Sequence, residues 1–98
     1  MIYCFDIDDT ICKTNGQNYA DSSPIYNRIE MINKLYDAGN RIIFFTARGY
    51  VTKIDWRDLT LNQLKEWNVK YHELILNKPH ADVYIDDKAI KDLDFFND

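Results

Sequence analysis

Two short apolar runs separated by one helical stretch constrain the fold of this chain more than any other feature. Tyr3-Cys4-Phe5 and Arg41 to Phe45 are rich in aromatic and branched residues and read as buried strands. Between them, Ser23-Pro24 has the form of a helix cap and first position. Ile25, Ile29, Ile32 and Leu35 or Tyr36 then recur at helical spacing until Gly39 stops the helix. A strand, a helix and a strand of these lengths imply a right-handed parallel crossover, with the apolar stripe of the helix laid on the sheet. Both strands then end on the carboxyl edge, where open α/β sheets bind ligands.

What the chain places at that edge is acidic. The first strand runs into Asp6-Ile7-Asp8-Asp9-Thr10, and Asp6 and Asp8, at alternate positions, aim to the same side. Two carboxylates held that close repel and desolvate badly unless something positive lies between them. Hard oxygen ligands at this spacing suit Mg²⁺. A strand running into an acidic turn would carry the same residues, since Asp is common in turns. The second strand ends in Thr46-Ala47-Arg48-Gly49.

The remaining segments fill out the sheet and its cover. Ile11 to Ser23 is polar and turn-rich and reads as a loop or small hairpin flap. After a loop at Tyr50 to Asp55, either Asp55 or Thr60 can cap a second helix that carries Leu61, Leu64 and Trp67, with Thr60-x-x-Gln63 as a capping box. Tyr71 to Leu76 is a third candidate strand and Val83 to Ile85 a fourth. Only about six residues join these two, too few for a helical crossover, so either the third strand is short or the link, which contains Pro79, is extended. Ala89, Ile90 and Leu93 suggest a final short helix, and Trp56 and Trp67 fit helix packing. His72 and His80 are isolated, with no metal spacing between them.

Asp6-x-Asp8-x-Thr10 after an apolar strand resembles the first motif of the haloacid dehalogenase superfamily, the aspartate-nucleophile phosphohydrolases. Ile42-Ile43-Phe44-Phe45-Thr46 is similar to the second motif, Lys78 is a candidate for the third, and Val83-Tyr84-Ile85-Asp86-Asp87 is similar to the fourth. The four occur in the family's order and cover most of the chain. The resemblance implies an α/β fold: a small Rossmann-like parallel sheet with helices on both faces, residues 1–98 forming a single catalytic domain without a cap. Compact members with Thr46-Ala47-Arg48-Gly49 and Ile85-Asp86-Asp87-Lys88 patterns resemble bacterial proteins of capsule or polysaccharide synthesis, which points to a sugar phosphate among small phosphorylated metabolites.

The same resemblance assigns roles. Asp6 would attack phosphorus to form an aspartyl phosphate, and Asp8 would protonate the leaving group and then activate water, as general acid and base. Mg²⁺ would be held by Asp6, the backbone carbonyl of Asp8, and Asp86, with Asp87 assisting through water or holding Lys78. Thr46, through its hydroxyl and N–H, and Lys78 would grip the phosphoryl oxygens, with Ala47 and Arg48 on the substrate side and Lys13 as a further contact. Three departures stand out. Lys78-Pro79 leaves no room for the helix that usually carries the third motif, the position after Asp8 is often glycine but is Asp9 here, and little chain follows the fourth motif.

Size and charge limit the alternatives. At 98 residues the chain makes one small domain, and a net charge of −4 provides no basic footprint for nucleic acid. No run approaches a membrane span, the acidic start does not suit a signal peptide, and the two cysteines lack metal spacing, so the expected setting is cytoplasmic with reduced thiols. A capless site would be covered by a partner subunit, making a homo-oligomer one expectation, or by a large substrate. Two other readings compete: a receiver-type phospho-aspartate signalling domain, and a non-catalytic binding protein on the same fold.

Overall fold

The computed structural model describes all 98 residues. The main sheet has three parallel strands in the order β1-β4-β5, formed by Ile2–Phe5, Arg41–Phe45 and Glu73–Ile75. Register pairs Phe5 with Phe44 and Phe44 with Leu74, so these side chains share one face. Onto that face pack Ile29 and Ile32 of α1 (Tyr26–Asp37), Leu64 of α2 (Arg57–Glu66) and Phe96 of α3 (Asp92–Phe96), in one continuous core. Phe95 also meets Tyr3 and Phe5 edge-on, with ring centroids 6.0 and 5.5 Å apart. The α/β reading and the strand-helix-strand crossover therefore hold.

The expectation of helices on both faces does not hold. The core draws its strand residues from the Phe5, Ile42, Phe44 and Leu74 side, whereas Ile2, Cys4 and Ile75 on the other side stay exposed. The physical reason is the strand order. Two successive crossovers of the favoured hand that step in the same direction, β1 to β4 to β5, lay both helices on the same side.

Three local expectations shift as well. Ser23–Pro24 does not open α1 but forms a two-residue strand, β3, paired antiparallel with β2 (Cys12–Lys13), and the helix starts at Tyr26. The Ile11 to Ser23 stretch is accordingly a hairpin flap, closed by a 3₁₀ turn at Tyr19–Asp21. The final helix begins at Asp92, leaving Ala89 and Ile90 outside it. The fourth strand is absent: Val83 to Ile85 pairs with nothing and lies exposed in an irregular excursion that runs from Pro79 to Lys91.

Both ends of that excursion are pinned. At its root, Asn77 N–H donates to Arg48 O and Lys78 N–H to Thr46 O, at 3.2 and 2.9 Å. At its far end α3 is tied to α1 by Arg28, whose guanidinium lies 2.8 Å from Asp92 Oδ2, 2.8 Å from Asp98 Oδ2 and 2.9 Å from Thr10 O. The bond to Asp98 most of all, with the bond to Asp92 beside it, raises the Arg28 pKa against the cost of burial.

Candidate functional site

Parallel register carries Asp6 and Thr46 to the same carboxyl edge, each just past the end of its strand, and Lys78 joins them through its N–H bond to Thr46 O. Asp6 is half-buried. Burial pushes its carboxyl pKa above the ordinary range, while the Lys78 ammonium, a backbone N–H at Ile7 and the Thr10 hydroxyl, 3.5 Å from Oδ2, pull the other way. Lys78 Nζ itself stands over the Tyr84 ring at 4.3 Å and the Phe45 ring at 5.8 Å. A partly desolvated carboxylate beside a lysine is an arrangement able to attract an anionic group and keep the carboxylate poorly hydrated.

Asp8 is engaged differently from expectation. Arg48 grips it with both arms of the fork, Nε 3.0 Å from Oδ2 and Nη2 2.8 Å from Oδ1, and Thr14 of the flap donates to Oδ1 at 2.7 Å. Ser22 backs Thr14 at 2.6 Å, so the flap is laced to the acidic strand end. Arg48 is fully buried. Its Nη1 donates to Thr60 Oγ1 and Gln63 Oε1 at 3.0 and 2.6 Å, and its guanidinium covers the Tyr19 ring at 4.7 Å. With its donors so committed, Arg48 ties the flap, the Asp8 turn and α2 together and is not a free substrate grip. That corrects its assignment to substrate binding.

Thr46 also changes role in part. Its N–H donates to Ile75 O at 3.0 Å as a continuation of the β4–β5 ladder and is not available to a phosphate, while its hydroxyl oxygen accepts Arg48 N–H at 3.2 Å. Asp9 resolves one departure from the family pattern. At φ 60° it takes the left-handed conformation that glycine adopts most readily, and it is held there by its N–H bond to Cys12 O at 2.7 Å. Ala47 lines a cleft of about 430 Å³ with Asp8, Gly16, Gln17, Tyr19, Val51 and His80, between the flap and the second strand end.

Asp86 and Asp87 do not reach this edge. No three side chains among His, Cys, Asp and Glu come close enough to share a metal ion. Asp86 instead accepts Lys88 N–H at 2.9 Å within its own turn. The residues that one chain brings together therefore do not fit the Mg²⁺ set expected of Asp6, Asp8, Asp86 and Asp87. Both carboxylates of the supposed fourth motif ride on the unpaired excursion.

Sequence reasoning missed Thr14, Tyr19, Thr60 and Gln63 as the residues that position Arg48 and Asp8. Thr60-x-x-Gln63 has the spacing of a capping box, but both residues lie inside α2, one turn apart and facing the core. Two polar residues on the buried side of a helix were the available signal. His72 is structural: its Nδ1 accepts Ile42 N–H at 3.0 Å and its ring stacks on Tyr36 at 4.6 Å.

No known family model matches the chain, and no curated protein matches it. Among solved structures, the crystal structure of an MCSG target from Vibrio cholerae is similar to it, with 25% sequence identity and a TM-score of 0.87 over 97% of this chain and 86% of that one. The likeness covers nearly the whole chain and supports the α/β architecture described above.

Proposed function

We propose that the protein is a phosphohydrolase of the haloacid dehalogenase type, on a Rossmann-like, capless fold, that cleaves a phosphate monoester through an aspartyl phosphate on Asp6. The observation that carries this reading is the placement of Asp6, a half-buried carboxyl with a raised pKa, beside Thr46 and Lys78 at the carboxyl edge of a parallel sheet. On this reading one Asp6 oxygen attacks phosphorus in line, and the P–O bond to the leaving alkoxide breaks. Lys78 and the Thr46 hydroxyl offset the charge on the transferring group. Water then cleaves the acyl phosphate, releasing inorganic phosphate and restoring the Asp6 carboxylate. Asp8, held in place by Arg48, is the acid and base of the two half-reactions; phosphate entering the cleft would have to draw it off one arm of that fork. Mg²⁺ enters the proposal only as an added ion that would meet Asp6 together with the substrate phosphate, since the chain's own carboxylates do not assemble a set to hold it. The substrate class proposed is a small phosphorylated metabolite such as a sugar phosphate.

The test is steady turnover of p-nitrophenyl phosphate with added Mg²⁺, in the wild type and in Asp6→Asn and Asp8→Asn. Turnover abolished by the first substitution and strongly slowed by the second supports the reading. Stoichiometric phosphorylation without turnover would assign the protein to the receiver class, and no reaction with any of a panel of phosphomonoesters would leave a binding protein.

A further inference from the structure

The flap and Asp8 are joined twice, once directly and once through the interior. The direct joint is Thr14, whose hydroxyl donates to Asp8 Oδ1 at 2.7 Å. The interior joint runs through Gln63 of α2, which is only 6% exposed. Its Nε2 donates to Tyr19 O, in the 3₁₀ turn of the flap, at 2.6 Å, and its Oε1 accepts Arg48 Nη1 at 2.6 Å. Arg48 in turn grips Asp8 through Nε and Nη2. Asp8, Arg48, Gln63, Tyr19 and Thr14 therefore form a closed circuit, with the flap as one of its sides.

We propose that Gln63 is a positioning residue: it couples the seat of the flap to the aim of Asp8, so that a group held under the flap and the carboxylate that serves it move as one unit. The coupling stands without the phosphohydrolase reading; only the use of Asp8 in proton transfer rests on it.

An amide suits this position for a chemical reason. The Arg48 guanidinium only donates and the Tyr19 carbonyl only accepts, so the buried link needs one acceptor and one donor on the same group, and the amide can sit only one way round. A glutamate would keep Arg48 but set a bare oxygen against Tyr19 O. A methionine would leave both neighbours without this partner in the interior. Tyr19 is held a second time by its ring, which lies 4.7 Å from the Arg48 guanidinium and meets the Trp56 ring edge-on at 5.1 Å. The flap therefore cannot shift at Tyr19 without drawing on Arg48 through both contacts.

The circuit borders the cleft between the flap and the second strand end. Gly16, Gln17 and Tyr19 of the flap line that cleft together with Asp8. A leaving group lodged there would rest on the flap and be served by Asp8, so its distance from the carboxylate is set by the circuit and by neither segment alone. Buried hydrogen bonds this short are stiff enough to transmit the coupling, because a polar group that loses its partner in the interior finds no water in exchange. The consequence depends on the leaving group. An alkoxide needs a proton as its P–O bond breaks, whereas p-nitrophenolate departs without one, so the aim of Asp8 matters for the first and little for the second.

Hydrogen exchange followed by NMR tests the coupling without reference to activity. Gln63→Glu keeps the Arg48 bond and gives up the one to Tyr19. It should speed exchange by about tenfold or more both at the Ser22 amide, which also donates to Tyr19 O, and at Arg48 Nε–H, which donates to Asp8, relative to the core amide of Phe44. Gln63→Met supplies the same readings if the glutamate variant does not fold. Ser22 unchanged, Ser22 faster with Arg48 Nε–H unchanged, or all three groups faster to the same degree would overturn the coupling. Kinetics then test the use of Asp8. The value of kcat/KM, which covers departure of the leaving group, should fall about tenfold further for benzyl phosphate than for p-nitrophenyl phosphate in Gln63→Glu, in the direction that Asp8→Asn moves the same ratio. An equal fall for both esters, as loss of stability alone would produce, overturns that part. Should the wild type turn over no phosphomonoester, the enzymatic reading falls and hydrogen exchange alone decides the coupling.

Discussion

Arg48 closes on Asp8 as a fork on a carboxylate, at 3.0 and 2.8 Å, with no part of the guanidinium exposed to solvent. Because Thr60, Gln63 and Tyr19 hold the other side of the same group, this pair joins three segments distant in sequence: the acidic turn, the flap and α2. Arg48→Lys keeps the charge and loses the fork, leaving Thr60 and Gln63 without their donor. The expected cost is about 2–4 kcal/mol of stability, read from urea unfolding, with Arg48→Met at least as damaging.

Asp6→Asn separates chemistry from folding. On the proposed phosphohydrolase reading, turnover of an aryl phosphate should fall on the order of a thousandfold or more, since Asp6 is the proposed nucleophile. Thermal stability should rise at neutral pH without added metal. Burial raises the Asp6 pKa in the folded chain, so the ionised form is disfavoured there. That penalty is present above the folded pKa and is relieved as pH falls through it. The gain in Tm from Asp6→Asn should therefore shrink on acidification.

The Arg28 cluster titrates with the opposite sign. Its hydrogen bonds hold the Asp98 carboxyl down at about 2 and lower Asp92 as well. Carboxylates depressed in the folded state add stability above their unfolded value, about 3.9, and lose it as pH falls through the folded one. The Tm difference between wild type and Arg28→Met should be largest at neutral pH and close as the pH drops from about 4 toward about 2. An unchanged difference across that window would contradict the pairing.

Gly49 stands at φ 90°, and a Cβ there would come 2.7 Å from Asn77 Oδ1 and 3.0 Å from Ile54 O. The Asn77 side chain can turn aside, but the Ile54 carbonyl is backbone, and the positive φ is strained for any L side chain. Gly49→Ala should cost about 1–3 kcal/mol, measurable by thermal unfolding. It should also loosen the root of the 79–91 excursion, seen as faster amide exchange at Asn77 and Lys78.

Elements whose signal is local were legible from the residues alone. Alternation and helical spacing placed β1, α1 and β4 to within a few residues, and parallel pairing then followed from connection length, which set Asp6 and Thr46 on one edge. Short-range chemistry was misread where a tertiary partner competed for it. Ser23-Pro24 has the form of a helix start, but pairing with Cys12–Lys13 in the flap claims it. Thr60 and Gln63 have the form of a cap, but a buried guanidinium 12 and 15 residues away claims them. It took the folded arrangement to bind Arg48 up with Asp8, and to stand Val83 to Asp87 away from the sheet that their pattern fits. A periodicity records which residues want burial, whereas the neighbour that buries them is chosen by the whole fold.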